Sequence, residues 1–161
     1  MNLIGNSPGW AFVLFAILLT IAAGQDGYRQ RISNVLVIAL LAAGIAVSVL
    51  SGVEKALWMN AAILIPILMV GSVAFSRGVL GGGDVKLLAA TAFWFTPADL
   101  LVFLPAVAIA GGLLVVVWLP IRMARTNAGT RSTLRERTLP YGIAIALGGI
   151  VAGAIVRGLF G

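Results

Sequence analysis

Cysteine and histidine are both absent from this chain, which removes disulfides, thiolate and imidazole metal sites, Ser-His-Asp triads and Cys-His nucleophile pairs together. Charge is scarce as well. Only 10% of the 161 residues are charged, and just five are acidic, against roughly 25% charged residues in soluble domains. Any polar chemistry is left to a few Asp, Glu, Lys, Ser, Thr and Tyr side chains. What fills the chain is apolar: 61% hydrophobic residues and a mean hydropathy of +1.10 describe an integral membrane protein. At roughly 20 residues per spanning helix, the length allows about six spans and leaves no room for a soluble domain. The expected fold is therefore one all-α unit, residues 1–161, of six transmembrane helices.

The net charge of +6 would suggest nucleic-acid binding in a soluble protein. Here the basic residues are grouped between apolar runs, so they read as membrane topology, with the lipid bilayer and not nucleic acid as partner. The first run, from Ser7-Pro8 to Gly24, ends in small residues as a secretory signal does, but residues 1–9 carry no cationic side chain, so it is expected to stay as a helix. Further runs cover residues 35–50, 56–76 with Pro66 inside, 84–95, 100–121 and 139–160. The fourth is too short, at about 18 Å of helix, to span comfortably. The connections after the odd-numbered runs hold nine basic residues, including Arg29, Arg31, Arg77 and Lys86, while Lys55 and Arg157 alone fall on the other side. By the positive-inside rule both termini face outward. Asp26 and Asp84 then share the cytoplasmic face, with Glu54 and Asp99 opposite.

Asp84 follows Gly81-Gly82-Gly83 at the mouth of the short run. An ionisable group there costs at least about 2.5–3.5 kcal/mol on insertion scales and marks a functional site until a structural role is found. Two carboxylates facing one water can hydrolyse a peptide: the ionised one takes the water's proton, and the protonated one donates to the carbonyl. Such acids share a proton and titrate as a pair. Glycines beside them allow a substrate strand to approach closely. Plainer readings exist for each part. The glycines serve as a flexible connection, Asp84 as an N-cap at a positive helix end, and Asp26 as a surface partner of Arg29 or Arg31. Lys86 reads as a snorkelling anchor, Ser76 with Lys86 as a formal Ser-Lys pair, and the Arg-rich stretch 122–138 as a cytoplasmic anchor or an acidic-lipid site.

With Gly81-x-Gly83-Asp84, Val85-Lys86-Leu87, the upstream Asp26 with Ile32-Ser33-Asn34, and Pro140-Tyr141-Gly142, the chain resembles the type IV prepilin peptidase family of GxGD membrane aspartic proteases. The resemblance implies catalytic roles for Asp26 and Asp84, and an active-site loop or substrate contact at Gly81, Gly83, Lys86, Pro140 and Tyr141. It implies no cofactor and no metal, a prepilin or pilin-like precursor as substrate, and a place in the cytoplasmic (inner) membrane. Ile32-Ser33-Asn34 stands where the family often has Ile-Pro-Asn. Larger members carry a cysteine-bearing methyltransferase domain, so this chain looks like the short form associated with Flp or tight-adherence pili. Other readings of the two acids are an archaeal preflagellin peptidase, a small proton- or cation-coupled transporter and a non-catalytic assembly subunit.

Overall fold

The computed structural model describes residues 3–52, 54–127 and 139–159. These form seven helices: α1 (Leu3–Asn6), α2 (Gly9–Arg29), α3 (Asn34–Leu50), α4 (Glu54–Ser76), α5 (Gly82–Ala92), α6 (Leu100–Asn127) and α7 (Tyr141–Val156), with no strand among the described residues. Gly9–Arg29, Leu57–Ser76 and Leu100–Pro120 are long and apolar enough to cross a bilayer. The apolar helices α3 and α7 are shorter, at 17 and 16 residues. The chain is a membrane protein.

Two boundaries differ from the sequence expectation, and one short helix is added to it. Helix α2 continues past Gly24 to Arg29, where Gln30 in the left-handed region (φ 49°) closes it with its amide on the Asp26 carbonyl at 2.8 Å. Asp26 thus belongs to the last turn of a helix, not to the connection after it. Helix α6 runs on to Asn127, so the first part of the Arg-rich stretch is helical. Residues 128–138, with Arg131, Arg135, Glu136 and Arg137, lie outside the described residues. The short α1 had no counterpart in the hydropathy pattern. Its Leu3 and Ile4 are buried, and Arg157 at the end of α7 donates to the carbonyls of Ile4 (2.8 Å) and Ser7 (3.2 Å).

The short fourth element is held by protein. Only 11 residues long, or about 16 Å, α5 packs against α3, α4 and α7. It is prolonged by the buried Phe93, Trp94 and Phe95. The Trp94 indole donates to the Leu40 carbonyl at 3.1 Å, so its polar edge is satisfied within α3. Phe15 meets Trp94 and Phe95 at ring-centre distances of 5.0 and 6.0 Å, and Phe95 stacks on Phe103 at 4.8 Å. This aromatic plug occupies the space that α5 is too short to cross.

Helix α7 is the second organiser, packing against both α6 and α2. Its buried face is built from small residues, among them Gly142, Ala144, Ala146, Gly148, Gly149 and Ala152, which let helix backbones approach where lipid offers no hydrophobic drive for association. The approach is closest at Gly148, where a Cβ would lie 2.6 Å from the Val107 backbone. Gly148→Leu should therefore force α6 and α7 apart and cost about 1–3 kcal/mol or more. A thermal melt in detergent reads this, and an unchanged midpoint would contradict the packing.

Candidate active site

Both acids are inside the protein. Asp26 and Asp84 are 5% and 8% exposed, and they come from elements far apart in sequence that converge at one end of the helices. The Asp26 carboxylate accepts the Gly142 amide proton at 2.7 Å, a bond spanning 116 positions of chain. It does not sit at the surface against Arg29 or Arg31. Asp84 is the third residue of α5, not its cap. The cap position belongs to Gly81, whose amide donates back to the Asp84 carboxylate at 3.1 Å. The two acids are near enough for their charges to interact, with Asp26 held by the Gly142 amide and Asp84 by the Gly81 amide. An acid in the first turn of a helix is also favoured by the positive helix end.

Gly142 was not singled out by the side-chain reading, although Pro140-Tyr141-Gly142 was. What makes it important is what it lacks: a Cβ there would lie 2.8 Å from Oδ2 and 2.9 Å from Cβ and Cγ of Asp26. Only glycine lets the start of α7 press its amide onto the carboxylate. Pro140, buried, precedes α7 at the centre of an inverse γ-turn (φ −78°, ψ 75°), closed by the Tyr141 amide on the Leu139 carbonyl at 2.9 Å.

The remaining expected residues divide. Gly83 lies under the turn that leaves α2, where a Cβ would meet the Ile32 side chain at 3.4 Å. That turn is in turn fastened by the Ser33 amide on the Gln25 side chain (3.2 Å), and Ser33 caps α3 through the Val35 amide (3.2 Å). Serine thus supplies by a hydrogen bond some of the rigidity a proline would give. Lys86 is exposed, and its Nζ donates to the Asn34 side chain at 3.1 Å, tying α5 to the start of α3. Tyr141 lines an apolar cavity of about 300 Å³ with Leu80, Leu88 and Ile145, and neither acid is among its lining residues. If Lys86 is a tie, Lys86→Met and Asn34→Ala should each cost no more than about 1.5 kcal/mol. Their double variant should cost no more than the larger single loss, as melts of all three would show. Additive losses would mean the two side chains act separately.

Among the described residues no group of His, Cys, Asp and Glu is placed to hold a metal ion. What is present is a pair of buried carboxylates held by the backbone amides of Gly81 and Gly142.

Residues 13–116, well over half of the chain and including both Asp26 and Asp84, match the type IV leader peptidase family. The chain belongs to that family and is a membrane-embedded peptidase. No curated protein and no solved structure matches it.

Proposed function

We propose that this protein is an aspartyl endopeptidase that cuts the short basic leader from type IV prepilins of the Flp or tight-adherence kind. Asp26 and Asp84 form its catalytic pair. The observation that carries the reading is the convergence of two buried carboxylates from separate helices, Asp26 held by the Gly142 amide and Asp84 by the Gly81 amide, near enough for their charges to interact. Burying an acid twice at one place has a cost that a purely structural role does not repay.

In this reading the ionised acid takes a proton from a water, whose oxygen attacks the scissile carbonyl carbon. The protonated acid donates to the carbonyl oxygen, and collapse of the tetrahedral intermediate returns a proton to the departing amine. Gly81 and Gly83 form the loop that holds Asp84: a Cβ on Gly81 would lie 2.8 Å from the Asp84 carboxylate, and Gly83 packs against Ile32. Helices α2 to α7 make up a six-helix membrane unit with both termini outward. The acids then lie at the cytoplasmic face of the inner membrane, beside Arg29, Arg31 and Arg77. The excess of basic residues at that end supports this orientation.

Co-expression with a type IV prepilin tests the reading. The precursor should lose its leader, and the activity in isolated membranes should survive both chelation and thiol alkylation, since no histidine or cysteine is available to the reaction. Abolition by a chelator and recovery with zinc would rule out the acid pair. A reporter fused after Gly161 should report from outside the cytoplasm, and a cytoplasmic signal would reverse the orientation.

A further inference from the structure

Helices α2 and α5, which carry Asp26 and Asp84, scarcely meet along their backbones, and each packs instead on α3 and α7. The spacing of the two acids is therefore set by what joins these helices. On one side that is the start of α7, whose Gly142 amide holds Asp26. On the other it is the turn from α2 to α3, residues 30–33.

This turn is fastened at both ends. Gln25, the residue next to Asp26, accepts the Ser33 amide proton on its side-chain oxygen at 3.2 Å, a half-buried bond that reaches eight positions along the chain. The residues on either side of Ser33 then meet α5: a Cβ on Gly83 would touch the Ile32 side chain at 3.4 Å, and the Asn34 side chain accepts from Lys86 at 3.1 Å. Gly83 and Lys86 bracket Asp84 at the start of α5. A continuous path thus runs from Asp26 through Gln25 and Ser33, and through the Ile32 and Asn34 beside it, to Asp84. The Lys86 bond is exposed and readily exchanged for water, whereas a half-buried Ser33 amide without its acceptor is left costly.

We propose that Gln25 is a positioning residue for the acid pair: by holding the Ser33 amide it keeps the α2–α3 turn pressed on the first turn of α5 and so fixes the separation of Asp26 and Asp84. The consequence for rate rests on the peptidase reading. Without the acceptor the Ser33 amide turns towards water, Ile32 lifts from Gly83, and α5 is free to shift against α2. A shift of about 1 Å at a reacting group can cost about 100-fold in rate. The buried aromatic core of Phe15, Trp94, Phe95 and Phe103 is untouched, so the chain stays folded.

Ser33 gives the test, because its φ of −68° suits proline, which has no amide to satisfy. With proline there, Gln25 has nothing to hold. Prepilin cleavage in liposomes is compared for the parent, Gln25→Leu, Ser33→Pro, the double variant, and Thr20→Val, which removes an exposed hydroxyl bonded within α2 to the Ala16 carbonyl. Gln25→Leu should lower kcat at least about tenfold with KM within about twofold, and Thr20→Val should match the parent. Ser33→Pro also removes the cap on the Val35 amide, so the double variant is judged against it and should equal it within about twofold, as a coupled pair does. In parallel, Asp26→Cys and Asp84→Cys are introduced together into the otherwise cysteine-free chain, and the rate at which a short bis-methanethiosulfonate joins them is followed. Adding Gln25→Leu should slow that joining several-fold. A parental kcat in Gln25→Leu, the same loss from Gln25→Leu in the Ser33→Pro background, or joining that is absent or indifferent to Gln25 overturns the proposal. Joining needs no cleavage, so a rate that depends on Gln25 in a chain whose parent processes no prepilin would count against the peptidase reading and leave the positioning role standing.

Discussion

Gly142→Ala should lower leader cleavage by at least about 100-fold while the protein stays folded, because a displacement of about 1 Å at a reacting group can cost that much. The added methyl would sit 2.8 Å from Oδ2 of Asp26 and 2.9 Å from its Cβ and Cγ. A contact with the tip of a side chain could be relieved by rotation. Contact with the Asp26 Cβ cannot, since that atom is fixed by α2. The start of α7 and the last turn of α2 must therefore separate, lengthening the 2.7 Å bond from Gly142 to Asp26 and moving one carboxylate relative to the other. The strain costs about 1–3 kcal/mol, partly offset by the gain of up to about 1 kcal/mol when alanine replaces glycine in a helix. The fold should survive. Gly27→Ala is the neighbouring control: its Cβ would make only an ordinary 3.5 Å contact with Ile143, so activity should be retained. The comparison is cleavage per folded molecule in liposomes. Gly142→Ala working within a few-fold of the parent would show that the amide contact does not position the acid.

Asp26→Asn and Asp84→Asn should each reduce cleavage by roughly 100- to 10,000-fold, the range associated with a lost general acid or base. Stability should not fall with activity. An asparagine side-chain oxygen can still accept from the Gly142 or Gly81 amide, while the substitution removes a buried charge and its repulsion from the other acid. Both variants should melt within about 1 kcal/mol of the parent or above it. Asp99 supplies the contrast. Its carboxylate accepts from the amide and hydroxyl of Thr96 at 3.1 and 2.5 Å, closing the turn before α6. Asp99→Ala should cost about 0.5–2 kcal/mol, as a lost cap does, with the rate per folded molecule unchanged. If instead the two Asn variants lose stability as Asp99→Ala does and keep their activity, both acids are structural.

The sequence made the membrane class and the two buried acids legible because both depend on one-dimensional signals. Long apolar runs mark spans, and an ionisable residue at the end of one is costly enough to stand out. The same logic located the shortness of the fourth run, though not its remedy: the stacking of Phe95 on Phe103 and the bond from Trp94 to Leu40 join residues up to 54 positions apart. Boundaries slipped where polar residues continued a helix. Gln25 and Asp26 looked like the start of a connection but lie within α2, whose end is decided by the left-handed Gln30. Gly142 was hidden for a different reason. Its contribution is a backbone amide and the absence of a side chain, and neither leaves a mark in a search for reactive groups. For Lys86, read from its charge as an interfacial anchor, the sequence could not show its partner, the Asn34 side chain 52 positions away.

The most direct measurement is the intact mass of a type IV prepilin after incubation in liposomes with the parental protein, with Asp26→Asn and with Asp84→Asn, each shown to be folded. If the two acids act as a pair on the leader, the parental protein yields one new species lighter by the whole leader, and both variants leave the precursor at full mass. A precursor shortened to the same mass by either folded variant would contradict the paired-acid site.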